Sequence, residues 1–170
     1  MKIYLIGLSG TGKSRIGKQL AKRLNCNFVD TDAEIERITG KSIEQIFEQE
    51  GESAFRRMEL RFFETTLKPS NNDLVISTGG GFPCFHNLIN EILEDGTVVH
   101  FSLPQKILIS RLNNSYRRPL LSGNAELELK QQWEARKHLY SQAHIELSTM
   151  DWDKTKLESL AERLLQISSV

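Results

Sequence analysis

The stretch Gly7-Leu8-Ser9-Gly10-Thr11-Gly12-Lys13-Ser14 decides the fold of this chain. It follows an apolar run at residues 3–6 and precedes a helical pattern at residues 15–24. A glycine-rich turn between a strand and a helix, ending in Lys-Ser, is the pattern of a phosphate-binding P-loop. The alternative is a glycine turn that only joins two elements. All four fixed positions of the P-loop pattern are present, which favours the phosphate site.

The P-loop predicts a nucleotide site with Mg²⁺. Glycines let the backbone N–H groups approach phosphate oxygens, and the positive end of the following helix faces the same anion. Lys13 is expected to reach the β- and γ-phosphates, and the Ser14 hydroxyl to hold Mg²⁺. The expected ATP contacts in this stretch are Gly10, Thr11, Gly12, Lys13, Ser14 and Arg15.

Composition indicates one domain over residues 1–170 and sets limits on its partners. Formal net charge is zero, so no broad basic field predicts nucleic acid or an anionic membrane as a partner. Hydrophobic residues make up 39% of the chain, and no window is long enough for a membrane span. Cys26 and Cys84 form neither a disulfide framework nor a zinc spacing. We therefore expect a monomeric cytoplasmic protein without nucleic-acid or membrane partners.

Apolar runs predict strands at residues 2–6, 26–29, 73–77, 96–101 and 145–147. The first two flank a helix at residues 13–24, which is the parallel crossover unit. Ligands collect at the carboxyl ends of such strands, and Asp30 and Asp32 follow the second one there. The alternative role for these acids is capping of the next helix.

Residues 33–67 carry helical patterns and no strand pattern. Gly40 and Gly51 divide them into three helices, and the last holds Arg56, Arg57 and Glu59. Helices inserted between strands, with paired arginines, indicate a substrate module on a nucleotide-binding core. Arg56 and Glu59 share a helix face, so a surface ion pair is an equally good interpretation of Arg56 from the local sequence.

Two further segments have features of a ligand site. Thr78-Gly79-Gly80-Gly81 follows the third strand and exposes backbone N–H groups, although glycines also make flexible turns. Residues 113–124 form a polar, turn-rich loop that contains Arg117 and Arg118. Loops of this length inside a domain are usually functional or disordered, and a solvated surface loop is the alternative.

Six motifs in order resemble those of the shikimate kinase family, and the resemblance covers nearly the whole chain. They are the P-loop, Phe28-Val29-Asp30-Thr31-Asp32, Phe55-Arg56-Arg57-Met58-Glu59, Ser77-Thr78-Gly79-Gly80-Gly81, Arg117-Arg118-Pro119-Leu120-Leu121, and Arg136 followed by Tyr140. The family implies ATP-dependent phosphorylation of the 3-hydroxyl of shikimate, in chorismate and aromatic amino-acid biosynthesis.

The implied fold is a three-layer α/β/α of the P-loop, nucleoside-monophosphate-kinase type. It has a five-stranded parallel sheet, a helical substrate-binding insertion at about residues 33–62 and a lid at about residues 113–124.

The resemblance assigns an acceptor site and a gate. Arg56 and Arg136 are expected to hold the shikimate carboxylate, because planar guanidinium groups suit that anion. Without the family, a solvated helix face would be the better interpretation of Arg136. Asp32 is the expected catalytic partner of the ring hydroxyl, either as base or as an orienting group. The substrate-binding set is completed by Glu59, Gly79, Gly80 and Gly81.

The resemblance further implies that Lys13 and the lid residue Arg117 stabilise charge on the transferring phosphoryl group, and that Asp30 lies near Mg²⁺ beside Ser14. Arg111 matches an arginine that packs on the adenine base. The family commonly has a basic residue after the last strand, whereas residues 148–153 here carry acids and Trp152. Trp152 packing on the C-terminal helix is favoured over packing near adenine.

Two alternatives remain. One is another small-molecule kinase of the same fold, for gluconate or a nucleoside monophosphate. The other is a nucleotide-dependent switch module, although the chain has neither a guanine-reading Asn-Lys-x-Asp nor an Asp-x-x-Gly after the third strand.

Overall fold

A parallel sheet forms the centre of the fold. The computed structural model describes residues 1–113 and 125–168, and in them five strands pair in the order β2-β3-β1-β4-β5. The strands are β1 (Lys2–Ile6), β2 (Asn27–Asp30), β3 (Leu74–Ser77), β4 (Thr97–Ser102) and β5 (Ile145–Ser148). Every pairing is parallel, as the predicted crossovers require.

Helices connect the strands. They are α1 (Lys13–Leu24), α2 (Thr31–Thr39), α3 (Ile43–Phe62), α4 (Leu88–Asp95), α5 (Gln105–Asn113), α6 (Ala125–Tyr140) and α7 (Lys154–Ser168). A π-helical segment, Phe63–Leu67, extends α3, and a short 3-10 turn, Phe82–Cys84, follows the triple glycine.

Side-chain alternation in the central strand gives the sheet an apolar layer on each face. Ile3 and Leu5 of β1 pack with α1 and α7, whereas Tyr4 and Ile6 pack with helices α2 to α6. All four side chains are fully buried. The predicted three-layer α/β/α architecture is confirmed.

The helical insertion begins and divides as its sequence predicts. Ser42 and Gln45 form a reciprocal capping box at the start of α3, as their spacing indicates. Gly51 interrupts α3 as expected, because its backbone is non-helical, with φ of +79°, and a kink there separates two helical segments. Glycine tolerates that conformation at little steric cost.

The site lies where the carboxyl ends of β1, β2 and β3 meet. The P-loop follows β1, Asp30 ends β2, and Thr78 follows β3. The Thr78 backbone N–H and hydroxyl both donate to the Leu5 carbonyl, at 3.1 and 3.0 Å. The Gly79 N–H donates to the Thr31 hydroxyl at 3.1 Å. These bonds hold the glycine loop against β1 and the start of α2.

Candidate active site

The P-loop conformation depends on the absence of a side chain at its first residue. Gly7 has φ of +134°, and a Cβ atom there would lie 2.4 Å from the Phe101 carbonyl oxygen. Both facts require glycine. Helix α1 then begins at Lys13 after Gly12, with no acidic residue in its first turn. The positive helix end therefore faces the loop without a competing carboxylate from that turn.

Lys13 lies along the P-loop. Its Nζ donates to the carbonyls of Gly7 and Leu8, at 2.7 and 2.9 Å, and the residue is only 7% exposed. The loop is braced from the far edge of the sheet, because the Thr149 hydroxyl donates to the Thr11 carbonyl at 2.8 Å. Thr149, directly after β5, thus lies beside the nucleotide loop.

Ser14 and Asp30 form a compact oxygen cluster between β1, β2 and β3. The Ser14 hydroxyl donates to Asp30 Oδ2 at 2.5 Å and lies 3.2 Å from the Ser77 hydroxyl. Asp30 Oδ1 accepts from the Ala33 N–H at 3.3 Å and caps α2. The capping interpretation of Asp30 is therefore confirmed, and its role near Mg²⁺ stays a prediction. The sequence assigned no ligand-binding role to Ser77. Its position at the carboxyl end of β3 could have indicated one, because ligands collect at such strand ends.

Two carboxylates face the triple-glycine loop. A Cβ atom on Gly79 would lie 2.6 Å from Asp32 Oδ1 and 3.1 Å from Glu59 Oε1. Burial raises the pKa of the Glu59 carboxyl well above its usual range; the charge of Asp32 acts in the same direction, while Arg56 and Arg136 oppose it. Asp32, Glu59, Arg56 and Arg136 thus form one electrostatic group.

Arg56 is held by two acids in a buried ion pair. Nη1 donates to Glu59 Oε2 at 2.6 Å, while Nε and Nη2 donate to Glu52 Oε1 at 3.2 and 2.9 Å. The predicted pairing with Glu59 exists, but it is not a surface pair, since the two side chains are 8% and 1% exposed. A Cβ atom on Gly81 would lie 2.5 Å from Arg56 Nη2, so the guanidinium abuts the glycine loop.

Three aromatic rings surround the same guanidinium. The Phe85 ring centroid lies 4.4 Å from Arg56 Cζ, and the centroids of Phe55 and Phe47 lie at 5.1 and 5.9 Å. Phe85 and Glu52 were not assigned by the sequence, because only tertiary packing brings them to Arg56. Ring faces attract a cation, so this cage fixes the guanidinium plane.

Arg136 reaches the loop from the opposite side. Its Nη1 donates to Gln132 Oε1 at 3.2 Å and would lie 3.6 Å from a Cβ atom on Gly80. The residue is half-buried, so α6 turns it toward the glycines instead of presenting it on a solvated face. Arg56 and Arg136 therefore flank residues 79–81 from two different helices.

The nucleotide side is less enclosed. Arg111 Nη1 donates to the Gly10 carbonyl at 3.0 Å, which places this exposed arginine beside the P-loop. Arg15 is exposed in the first turn of α1. The Trp152 ring lies 5.8 Å from Phe101 and joins the cluster beneath α7, as the favoured interpretation required. Arg117, the predicted lid residue, lies outside the described residues.

A comparison with protein families decides the identity of this arrangement. The family model described as "Shikimate kinase" matches residues 9–168, which include every motif after the first two residues of the P-loop.

This chain belongs to the shikimate kinase family.

Curated and solved members of the family agree with that assignment. The shikimate kinase of Persephonella marina is 44% identical over 147 residues, covering 86% of this chain and 88% of the relative. The solved shikimate kinase of Acinetobacter baumannii, in complex with shikimate, is 34% identical. It matches with a TM-score of 0.82 over 98% of this chain and 91% of its own. The sequence-based prediction of a shikimate kinase is confirmed.

A gluconokinase from Sinorhizobium meliloti also matches, with a TM-score of 0.56 and 15% identity, over 98% of this chain and 97% of its own. That likeness shows a common fold with the shikimate kinase family and no more. Within the described part of the chain, none of the helices has the length and apolar character to traverse a membrane.

Proposed function

We propose that this chain transfers the γ-phosphoryl group of ATP to the 3-hydroxyl of shikimate, giving shikimate 3-phosphate and ADP. One observation carries the proposal: Asp32, Arg56 and Arg136 surround residues 79–81 next to the P-loop. Two guanidinium groups and one carboxylate suit an acceptor with a carboxylate and hydroxyls. Family membership supplies the identity of that acceptor.

The acceptor site binds shikimate through both charged groups and hydrogen bonds. Arg56 and Arg136 bind the shikimate carboxylate from two sides, and the backbone of Gly79, Gly80 and Gly81 fills the gap between them. Glu59 keeps Arg56 in place through their ion pair. Asp32 accepts a hydrogen bond from the 3-hydroxyl and aims that oxygen at the phosphoryl group.

The donor half consists of Gly10, Thr11, Gly12, Lys13 and Ser14 with Arg15, Arg111 and Arg117. P-loop N–H groups cradle the phosphates, and Lys13 stabilises charge that spreads over the transferring group. Arg111 packs at the base end beside Gly10. Arg117 remains a sequence-based proposal for the arginine that closes over the phosphoryl group.

Ser14 and Asp30 suit Mg²⁺. They supply a hydroxyl and a carboxylate that already lie together, and Mg²⁺ prefers such oxygen ligands alongside water and substrate phosphates. Ser77 adds a second hydroxyl to the cluster. When bound, the ion neutralises phosphate charge and orients the phosphates for in-line attack.

The transfer forms a bond between the shikimate 3-oxygen and the γ-phosphorus and breaks the bond between that phosphorus and the β,γ-bridging oxygen. ADP leaves with that bridging oxygen. The hydroxyl proton moves toward Asp32 as the new bond forms. Phosphoryl transfer depends mostly on positioning and charge neutralisation, and these residues provide both.

The chain works as a single domain over residues 1–170 in this proposal. Residues 33–62 form the substrate-binding module, which is supported by Arg56 and Glu59 on α3. Residues 113–124 form the lid, of which 114–124 lie outside the described residues. The monomeric state and the cytoplasmic location stay predictions of the sequence.

A coupled ADP-release assay with a panel of acceptors tests the function. With ATP and Mg²⁺, we expect shikimate to raise ADP release at least about a hundredfold over the rate without an acceptor. Gluconate and nucleoside monophosphates serve as controls and should leave the basal rate unchanged. ATP turnover that does not respond to shikimate, or that responds equally to gluconate, would contradict the proposal.

A further inference from the structure

Tyr140, at the end of α6, connects that helix to the glycine loop. Its side chain is fully buried, and its hydroxyl donates to the Gly80 carbonyl oxygen at 2.6 Å. Burial raises the pKa of this phenol, so the hydroxyl keeps its proton and stays a donor over the whole range of assay pH.

The same glycine also lies beside an arginine of the site. Arg136 lies one helical turn before Tyr140 on α6, and its charge acts on the phenol. Arg136 Nη1 is 3.6 Å from the position of a Cβ atom on Gly80. Tyr140 and Arg136 therefore meet the glycine loop at the same residue, Gly80.

The tyrosine ring is fixed from behind. It stacks on His100, with centroids 5.0 Å apart and an interplanar angle of 21°, and it contacts Trp133 at 6.4 Å. His100 is itself buried against the P-loop, since its Cδ2 would lie 3.4 Å from a Cβ atom on Gly7. Burial between His100 and Trp133 therefore restricts the ring, which keeps the direction of its hydroxyl toward Gly80.

We propose that Tyr140 is a positioning residue for shikimate, which acts by holding the Gly80–Gly81 peptide, beside Arg136, in its binding orientation. The proposal rests on the function proposed above.

The geometry of the peptide unit gives the mechanism. A planar trans peptide points its carbonyl and its N–H in opposite directions, and no peptide bond in the described chain is cis. A hydroxyl that pins the Gly80 carbonyl therefore fixes the direction of the Gly81 N–H as well. Gly81 packs directly on Arg56, so the constraint reaches both arginines. Glycine would otherwise leave this peptide free to rotate.

The test removes one oxygen. Tyr140→Phe keeps the stacked ring and deletes the hydroxyl. We expect the KM and the equilibrium Kd for shikimate to rise about tenfold, as for the loss of one buried hydrogen bond. The KM for ATP and the kcat should each stay within about twofold, because the phosphate end is unchanged.

Tyr4→Phe is the matched control. Tyr4 is equally buried, and its hydroxyl donates to Asp95 Oδ2 at 2.5 Å, away from the glycine loop. The Tyr4→Phe variant should lower Tm as much as Tyr140→Phe does and should leave the shikimate KM unchanged. If both variants lose stability and neither changes the shikimate KM, Tyr140 is only structural and the proposal fails.

A second comparison uses Arg136→Gln with and without Tyr140→Phe. If the tyrosine acts partly through Arg136, the double variant should raise the shikimate KM by less than the product of the two single effects. If the rise in shikimate KM in the double variant equals the product of the two single effects, Tyr140 does not act through Arg136. A wild-type protein that releases ADP with shikimate but shows no effect of Tyr140→Phe refutes only this inference, whereas a wild type that binds no shikimate refutes the proposed function as well.

Discussion

Replacement of Asp32 by Asn is expected to lower the kcat for shikimate phosphorylation by about 10²–10⁴-fold, the usual contribution of a positioned acid or base. The amide keeps the size of the side chain but accepts no proton. Asp32 faces Gly79 beside Glu59, so the effect falls on the acceptor hydroxyl and spares the KM for ATP. Steady-state kinetics with shikimate and ATP varied separately measure both.

Glu34→Gln is the control for this prediction. Glu34 also lies in the first turn of α2, but it pairs with Arg37 at the surface. Like Asp32→Asn, Glu34→Gln removes a carboxylate near the N-terminus of α2, but it leaves the surroundings of the glycine loop unchanged. We therefore expect no change in kcat. Thermal stability separates an effect on catalysis from an effect on folding. The Asp32 charge raises the pKa of Glu59, so Asp32→Asn relieves repulsion and should not lower Tm. A variant with normal kcat would remove Asp32 from the chemistry.

Replacement of Arg56 by Ala is expected to raise the KM for shikimate by about a hundredfold or more, with little change in the KM for ATP. The guanidinium is buried among rings and acids, and its truncation removes the partner of the substrate carboxylate. It also leaves Glu59 without its cation, so the free energy of unfolding should fall by about 3–5 kcal/mol. Initial rates and denaturant titration measure the two effects.

Two variants separate binding from folding in this prediction. Arg57→Ala removes the neighbouring, exposed arginine, whose Nη1 donates to Ser53, and it should change neither quantity. Arg56→Ala combined with Glu59→Gln removes the uncompensated buried charge. This double variant should regain stability but keep the high shikimate KM. If its KM returned to the wild-type value, Arg56 would act on the fold and not on the substrate.

The sequence was informative where function depends on local geometry. The P-loop, Asp30 and the triple glycine follow strands directly, and a parallel sheet brings such strand ends to one edge. The fold class follows from the same crossovers. The buried nature of the Arg56–Glu59 pair was not predictable from spacing, because i,i+3 pairs are common on exposed helix faces.

Contacts between residues far apart in the chain could not be predicted from the sequence. Phe85 reaches Arg56 from a different element, and Tyr140 reaches Gly80 across 60 positions. Nothing in the local pattern of either segment encodes these distances, which are set when α6 and the 3-10 turn pack on the sheet. Gly51, by contrast, was predictable from the sequence, because a glycine readily adopts the positive φ that interrupts α3 there.

The position of shikimate in a crystal structure of the complex with ADP tests the central claim most directly. We expect the carboxylate within hydrogen-bonding distance of both Arg56 and Arg136, and the 3-hydroxyl beside Asp32 with its oxygen toward the P-loop. A complex with the carboxylate away from these arginines, or with a different hydroxyl at Asp32, would contradict it.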